Sequence, residues 1–210
     1  MSAQKAASWA YCEQFVTEPE VIETARRRGE ELGCVPVGVG VGAALRTIAA
    51  STGARAVVEI GTGAGVSGLW LMEGMPADGI LTTIDIEAMH QRAAKEAYAA
   101  AGIAHQRTRV ITGRALDVLD RMTDGAYDIA LVDGDKDEYP AYVEQATRLL
   151  RQGGVMVIDN MLWHDKVADP AARDETTRTL RDLGKSVRDD TAFTTTLLPV
   201  GDGLLVAIKR

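Results

Sequence analysis

The sequence predicts an α/β fold with a doubly wound, mostly parallel sheet of seven strands, a C-terminal antiparallel hairpin and N-terminal cap helices. From residue 54 onward, short β-branched apolar runs alternate with segments of helical periodicity. This alternation is typical of a parallel sheet with helices packed on both faces. The last two apolar runs are separated by turn residues, which indicates a hairpin. Residues 1–53 differ in character and carry helical patterns.

The first helix for which the sequence gives clear signals spans residues 18–32. Thr17 to Glu20 forms a capping-box pattern, and Pro19 falls in the first turn, where a missing N–H is tolerated. Apolar residues then recur at helical spacing until Gly33. We therefore expect an amphipathic helix that ends at this glycine.

A second, shorter helix is predicted for the segment GAALRTIAAS, which ends at Gly53. We expect the helices of residues 1–53 to form a cap. The cap would belong to a single domain, residues 1–210, whose cofactor-binding α/β core covers residues 54–210.

The core contains five short and nearly continuous apolar runs, which are typical of strands buried on both faces: ARAVVEI, ILTTIDI, RVIT, YDIALVD and GVMVID. The segments between them have helical periodicity and end near Gly or Pro: VSGLWLMEGM, EAMHQRAAKEAYAAAG, RALDVLDRM and EYPAYVEQATRLLR. TTTLLPV and GLLVAIK, with Gly201 and Asp202 between them, predict the terminal hairpin.

Composition and charge restrict the possible partners. The 210 residues are 46% hydrophobic and 25% charged, as expected for a globular protein with one core. A net charge of −7 disfavours binding to nucleic acid or to an anionic membrane surface. Cys12 and Cys34 are too few for a disulfide scaffold, so we expect reduced packing residues. The N-terminal residues show no targeting pattern, and we expect a cytoplasmic protein.

A glycine-rich loop follows the first predicted strand in the segment EIGTGAGVS, Glu59 to Ser67. Gly61, Gly63 and Gly65 let the chain turn sharply and let a ligand approach the backbone N–H groups at a helix N-terminus. The glycines could also serve the turn alone. A dinucleotide fingerprint is GxGxxG, whereas the spacing here is GxGxG. Glu59 would repel a pyrophosphate but could serve a cationic ligand such as S-adenosylmethionine.

Asp85 ends the second predicted strand, 24 residues beyond Gly61. This spacing is close to the one at which an acidic side chain accepts hydrogen bonds from the two ribose hydroxyls of a nucleotide. The alternative is that Asp85 caps the following helix.

Three oxygen-bearing side chains follow the fourth and fifth predicted strands. Asp133 lies in LVDGDKDEY, and Asp159 and Asn160 lie in GVMVIDN. Because the carboxyl ends of parallel strands share one edge of the sheet, these side chains can converge there. Two carboxylates and an amide oxygen suit Mg²⁺, with Ca²⁺ or Mn²⁺ as alternatives. Each acid could instead cap a helix.

Lys136 stands three residues after Asp133, in the same loop. A lysine beside a divalent cation in a partly dry pocket has its ammonium form disfavoured, which makes it a candidate general base. The alternative is a solvated ion-pair partner for Asp135, Asp137 or Glu138.

The motifs EIGTGAGVS, TTIDIE, LVDGDKDEY and VIDNMLW, in this order and spacing, resemble class I S-adenosylmethionine-dependent O-methyltransferases of the metal-dependent catechol and caffeoyl-coenzyme A type, in their bacterial small-molecule branch. The resemblance implies a Rossmann-like methyltransferase fold and covers most of residues 35–210. It implies cofactor contacts at these positions: Val37, Glu59, Gly61, Thr62, Gly63, Ser67, Asp85, Ile86, Arg114, Ala115, Asp133 and Asp135.

The resemblance further implies metal ligation by Asp133, Asp159 and Asn160, with Lys136 as the base that takes the phenol proton. Lys136, Asn160 and Trp163 would contact the substrate, although Trp163 could instead lie at a rim or an interface. The implied reaction transfers a methyl group from S-adenosylmethionine to a hydroxyl of a small, catechol-like or phenolic acceptor. An NAD(P)-dependent oxidoreductase and a non-catalytic cofactor-binding domain remain the alternatives.

Two further expectations concern the loop around Gly134 and the apolar residues near the N-terminus. Gly134 carries no side chain, so nothing at that position can pack on an adenine ring. Trp9, Phe15 and Val16 have no obvious strand to cover, which leads us to expect a homodimer whose N-terminal helices border the active site.

Overall fold

A computed structural model describes residues 3–210, and residues 1 and 2 of the predicted cap lie outside the described residues. Within residues 3–210 the strands are β1 (Ala56–Ile60), β2 (Ile80–Asp85), β3 (Thr108–Thr112), β4 (Tyr127–Val132), β5 (Leu150–Ile158), β6 (Phe193–Leu198) and β7 (Leu204–Lys209). The α-helices are α1 (Ala3–Glu13), α2 (Glu20–Glu31), α3 (Val39–Thr52), α4 (Val66–Gly74), α5 (Ala88–Ala100), α6 (Ala115–Leu119), α7 (Tyr139–Leu149) and α8 (Glu175–Asp189). Short 3₁₀ turns cover His105–Arg107 and Lys136–Glu138.

The described strands form one seven-stranded sheet in the order β3-β2-β1-β4-β5-β7-β6. Strands β1 to β5 pair in parallel, and β7 pairs antiparallel with both β5 and β6. The predicted fold class is thereby confirmed. Strand order reverses between β1 and β4, and such a switch point opens a crevice at the carboxyl ends of the strands.

Helices cover both faces of the sheet because successive strand residues point to opposite sides. Val58 and Ile60 of β1 belong to an apolar cluster that includes residues of α6, α7 and α8. Val57 of the same strand belongs to a second cluster, which includes residues of α2, α3, α4 and α5. Glu59 points to the side of this second cluster and lies buried there.

The N-terminal helices are attached to the core by close packing. A Cβ placed on Gly42 of α3 would collide with the indole ring of Trp70 in α4, so α3 approaches α4 more closely than any other residue would allow. Helix α3 ends at Gly53, as the sequence predicted, and this glycine takes the left-handed conformation with φ of 58°. Because α4 begins directly after the glycine-rich loop, α3 supports the helix that holds this loop.

Three local predictions in the N-terminal region are corrected. The capping box is wrong, because α2 begins at Glu20 and Pro19 takes the N-cap position without a side-chain hydrogen bond. The predicted helix is accordingly shorter than residues 18–32. Cys12 is exposed and thus is not a packing residue, whereas Cys34 is half-buried; both are free thiols.

Helix α1 and the turn after it expose apolar side chains. Trp9, Tyr11 and Phe15 are exposed, while Val16 packs on the second cluster. Glu13 at the end of α1 accepts a hydrogen bond from the backbone N–H of Gly201, which ties α1 to the turn between β6 and β7. No helix among residues 3–210 combines the length and the apolar character needed to span a bilayer.

Candidate active site

A cavity of about 640 Å³ opens at the carboxyl ends of the parallel strands. The loops after β1, β2, β3, β4 and β5 all contribute to its walls. Most of the predicted site residues line it: Val37, Gly61, Thr62, Gly63, Ser67, Asp85, Ile86, Arg114, Ala115, Asp133, Asp135, Lys136, Asn160 and Trp163. Glu59 and Asp159 do not line it, although both are adjacent in sequence to residues that do.

The glycine-rich loop needs its first glycine for two reasons. Gly61 has φ of 95°, a conformation that residues with a Cβ rarely adopt. A Cβ at this position would also collide with the carbonyl oxygen of Asp133 at the end of β4. Gly61 therefore brings the loop after β1 against the loop after β4, which closes the base of the cavity.

Asp85 holds the glycine-rich loop and the start of α5 together. Its carboxylate accepts hydrogen bonds from the backbone N–H of Gly63 at 2.9 Å and from that of Glu87 at 2.8 Å. His90 places its Nδ1 atom 3.3 Å from the same carboxylate. The capping alternative and the ribose prediction are compatible, because Asp85 lines the cavity while its carboxylate also accepts from the N–H of Glu87, the N-cap residue of α5. The exposed side chain of Ile86 lies next to it on the cavity wall.

Glu59 lies behind the cavity wall. Its two carboxylate oxygens accept hydrogen bonds from the hydroxyls of Ser67 at 2.5 Å and Thr83 at 2.6 Å. Burial raises the pKa of Glu59 to about 7, despite the opposing effect of these two hydroxyls. Since Ser67 lines the cavity, its hydroxyl connects the buried Glu59 carboxyl group to the cavity wall.

A buried polar chain continues from Glu59 beneath the loop. The hydroxyls of Thr83 and Thr62 lie 2.6 Å apart, and Gln91 of α5 donates to Thr62 at 3.0 Å and to the carbonyl of Ile111 at 2.8 Å. The chain joins β1, β2 and β3 below the cavity. Sequence reasoning missed Gln91, since its only signal was a polar residue on the buried face of an amphipathic helix.

The loop after β4 brings the predicted base to the predicted metal ligand. Lys136 Nζ donates to the Asp133 carboxylate at 3.2 Å, to the Gly134 carbonyl at 3.2 Å and to the Tyr139 hydroxyl at 2.7 Å. The Tyr139 hydroxyl donates in turn to the carbonyl of Asp159 at 3.2 Å. The loops after β4 and β5 are therefore connected through one lysine and one tyrosine, and sequence reasoning missed the tyrosine.

The pKa values of the Asp133 and Asp159 carboxyl groups are both raised at this edge of the sheet. Burial and then the charge of Asp133 raise the pKa of Asp159 to about 7. Burial also raises the pKa of Asp133, against the opposing effect of the Lys136 ammonium. A cation between the strand ends would relieve both carboxylates.

The oxygen donors at this edge of the sheet fit a hard cation, although the set contains only two carboxylates and one amide. No group of three or more His, Cys, Asp or Glu side chains within residues 3–210 is arranged to hold a metal ion. The predicted set instead consists of Asp133, Asp159 and the amide of Asn160, which are oxygen donors of the kind that Mg²⁺ takes together with water. Asn160 has φ of 60°, a conformation tolerated best by Asn, Asp and Gly, and it lines the cavity.

The segment after Asn160 forms the outer rim of the cavity. Trp163 and His164 both line the cavity, and their ring centroids lie 5.0 Å apart. The backbone N–H of His164 donates to the Asp202 carboxylate at 2.7 Å, and the turn between β6 and β7 thereby holds the rim. Asp135 accepts from the N–H of Asp137 at 3.1 Å, which begins the 3₁₀ turn over the loop after β4.

Known proteins are similar in sequence to nearly the whole chain. Residues 10–210 match the model of a family described as O-methyltransferase. A protein of Mycobacterium ulcerans (strain Agy99) that is named as an O-methyltransferase is 46% identical over 200 residues, which cover 95% of this chain and 89% of that protein.

Solved structures of O-methyltransferases have the same fold as this chain. TomG from Streptomyces achromogenes, an O-methyltransferase involved in tomaymycin synthesis and solved with S-adenosylmethionine, has a TM-score of 0.86 at 30% identity, with 100% of both chains covered. The O-methyltransferase from Bacillus cereus, solved with S-adenosylhomocysteine, has a TM-score of 0.86 at 26% identity, with 98% of this chain and 97% of that chain covered.

The strand order with β7 antiparallel between β5 and β6, together with solved neighbours that hold S-adenosylmethionine or S-adenosylhomocysteine, defines a class I S-adenosylmethionine-dependent methyltransferase. The relatives that are similar over nearly the full length are named as O-methyltransferases, which are a subgroup of this class. The chain belongs to the O-methyltransferase family and is an S-adenosylmethionine-dependent enzyme. The oxidoreductase and non-catalytic alternatives are therefore set aside, and the catechol and caffeoyl-coenzyme A resemblance fits this family.

Proposed function

We propose that this enzyme methylates one hydroxyl of a small, catechol-like or phenolic acceptor, with Lys136 as the base and a divalent metal, Mg²⁺ by preference and Ca²⁺ or Mn²⁺ as alternatives. The observation that carries the proposal is the position of Lys136. Its Nζ atom lies 3.2 Å from the Asp133 carboxylate, on the wall of the cavity that also exposes Asn160.

Asp133, Asp159 and Asn160 would hold the metal. A divalent cation held by these residues would supply Lewis acidity toward an acceptor hydroxyl and would favour acceptors with two adjacent oxygens. The protein contributes rigidity, since Asp159 is buried and accepts a hydrogen bond from the N–H of Asn160 at 2.8 Å. This rigidity favours a fixed ligand geometry.

The remaining residues would align the reacting groups. Asp85 is suited to the ribose hydroxyls, and Ser67 with the glycine-rich loop to the amino-acid end of the methyl donor. Trp163 would pack against the aromatic ring of the acceptor on the rim. Lys136 would take the hydroxyl proton, and the oxyanion would attack the sulfonium methyl in line, so that the O–C bond forms as the C–S bond breaks and S-adenosylhomocysteine leaves; no covalent enzyme intermediate is needed.

Methyl transfer from labelled S-adenosylmethionine to a panel of vicinal diols, monophenols and aliphatic diols, with Mg²⁺ present, tests this proposal. We expect transfer to vicinal aromatic diols and much less to monophenols, which offer one oxygen. Equal transfer to all three groups would contradict the chelating role, and transfer to no hydroxyl would contradict the acceptor class.

A further inference from the structure

Three side chains from separate segments join across one end of the cavity. Arg114, in the loop after β3, donates through Nη2 to the Glu138 carboxylate at 2.5 Å. The Tyr142 hydroxyl of α7 donates to the other oxygen of Glu138 at 2.6 Å. All three residues line the cavity. Glu138 thus links the β3 side of the crevice to the β4 side.

The position of these residues indicates which part of the methyl donor they face. The glycine-rich loop after β1 suits the amino-acid end, and Asp85 at the end of β2 suits the ribose. The adenine ring of the methyl donor extends from the ribose, away from the amino-acid end, toward the next strand in the sheet, which is β3. Arg114 lies in the loop after β3, separated from the end of the strand by Gly113, so the linked residues stand at the adenine end.

Gly134 shows why Tyr142 can form the wall there. A Cβ at Gly134 would lie 3.0 Å from Cε2 of Tyr142 and 3.2 Å from Cγ2 of Ile60. These contacts are tight, so the missing side chain leaves room for the tyrosine ring beside the loop. The aromatic surface that position 134 lacks is therefore supplied by a residue eight positions further along the chain.

The ion pair contributes little to folding. The Arg114 side chain is 54% exposed and that of Glu138 is 28% exposed, and ion pairs this open to water are weak. The Tyr142 hydrogen bond and then the Arg114 guanidinium lower the pKa of Glu138, so its carboxylate stays charged. Tyr142 itself packs in the apolar cluster beneath α7 and is 4% exposed, whereas the Arg114–Glu138 pair joins two loops of the cavity wall. Because so exposed a pair adds little to folding, its position in the cavity wall is better explained by ligand retention.

We propose that Arg114, Glu138 and Tyr142 form an adenine clasp, in which the Tyr142 ring packs against the base and Glu138 orients this ring and anchors Arg114 across the opening. The clasp rests on the use of S-adenosylmethionine and is independent of the metal and of the acceptor. It adds Glu138 and Tyr142 to the cofactor site as a positioning residue and a contact residue, respectively.

Binding of S-adenosylhomocysteine to the full-length protein, measured by calorimetry and stopped-flow dissociation without metal or acceptor, tests the clasp. Tyr142→Leu removes the ring, and we expect affinity to fall about 5-fold to 100-fold, the range for loss of one base–aromatic contact. Tyr142→Phe and Glu138→Gln keep the ring but weaken its anchor, and we expect faster dissociation. Glu144→Gln, on the exposed face of the same helix, is the matched control and should bind normally.

A second ligand separates a clasp from a merely structural role. 5′-Methylthioadenosine keeps the adenine and ribose but lacks the amino-acid end, so its affinity should fall by the same factor in each variant. Normal binding of both ligands to Tyr142→Phe and Glu138→Gln would overturn the proposal, even if Tyr142→Leu failed to fold. A loss confined to S-adenosylhomocysteine would also overturn it. Because no methyl transfer is measured, an incorrect acceptor class would leave these results unchanged.

Discussion

The hydroxyl of Tyr139 lies 2.7 Å from Nζ of Lys136 and donates to the carbonyl of Asp159. Tyr139 is fully buried, and burial raises the pKa of its hydroxyl well above the usual range, with Asp133 adding to the effect. The hydroxyl therefore stays protonated and uses its hydrogen on the Asp159 carbonyl. Lys136 is thus held by a rigid acceptor between two strand ends, which limits the freedom of its long side chain.

Replacing Lys136 with Ala should lower kcat by about 10²-fold to 10⁴-fold, the usual range for loss of a general base. S-adenosylmethionine affinity should stay nearly unchanged, because the proposed function assigns Lys136 to the acceptor and not to the methyl donor. Steady-state kinetics and calorimetry check both values. Asp85→Ala is the comparison, since loss of the ribose contact should weaken cofactor binding first. A near-native kcat for Lys136→Ala across the pH range would show that the proton goes to water.

Under the proposed function, exhaustive chelation should abolish turnover and Mg²⁺ should restore it, because a metal held by this edge would acidify and orient the acceptor hydroxyl. Asp159→Ala should also lose Mn²⁺ binding, measured directly by electron paramagnetic resonance of the free ion. Asp182→Asn, an exposed acid of α8, is the matched control and should retain it. Full activity in the chelated enzyme would exclude a metal role for this edge.

The stability of the enzyme should depend on the ionisation of Glu59. Its pKa is raised to about 7 in the folded protein, so the folded state binds this proton more tightly than the unfolded chain. The resulting stabilisation is complete below the ordinary glutamate pKa and is lost as pH rises through about 7. Relative to Glu59→Gln, the wild type should lose roughly 2–3 kcal/mol of unfolding free energy between pH 5 and pH 8.

Urea unfolding of both proteins at several pH values measures this difference. Glutamine keeps the shape of the side chain and an acceptor oxygen, so the comparison isolates the charge. A difference in unfolding free energy that stays constant with pH would mean that Glu59 titrates normally.

A homodimer through the N-terminal helices remains our prediction. Phe15 is 71% exposed and Tyr11 68% exposed, and their rings lie 5.9 Å apart, so they form an apolar surface that a second copy would cover. Sedimentation equilibrium at micromolar concentration should give twice the monomer mass, and Phe15→Asp should give the monomer. Met89→Asp changes another exposed apolar residue, 59% exposed and in α5, and should leave the dimer intact. A monomeric wild type would contradict the prediction.

Most of the sheet and much of the candidate site could be predicted because their signals are local. Alternating apolar runs and helical segments indicated the parallel strands, and the terminal hairpin followed from its turn residues. The motif around Lys136 placed the candidate base and Asp133 in one loop, and the structure finds the two side chains 3.2 Å apart. The capping box failed because one proline can serve as either the N-cap or the first helical residue.

The fold class, the glycine-rich loop and the acid at the end of β2 follow from the amino-acid order alone, since each depends on residues close together in the chain. The position of Glu59 behind Ser67 and the bridge from Arg114 through Glu138 to Tyr142 do not. Glu59 and Ser67 lie on different elements, β1 and α4, and Arg114 and Glu138 lie 24 residues apart in the loops after β3 and β4, two strands that are not adjacent in the sheet. Such contacts depend on strand order and side-chain packing, which no local pattern encodes.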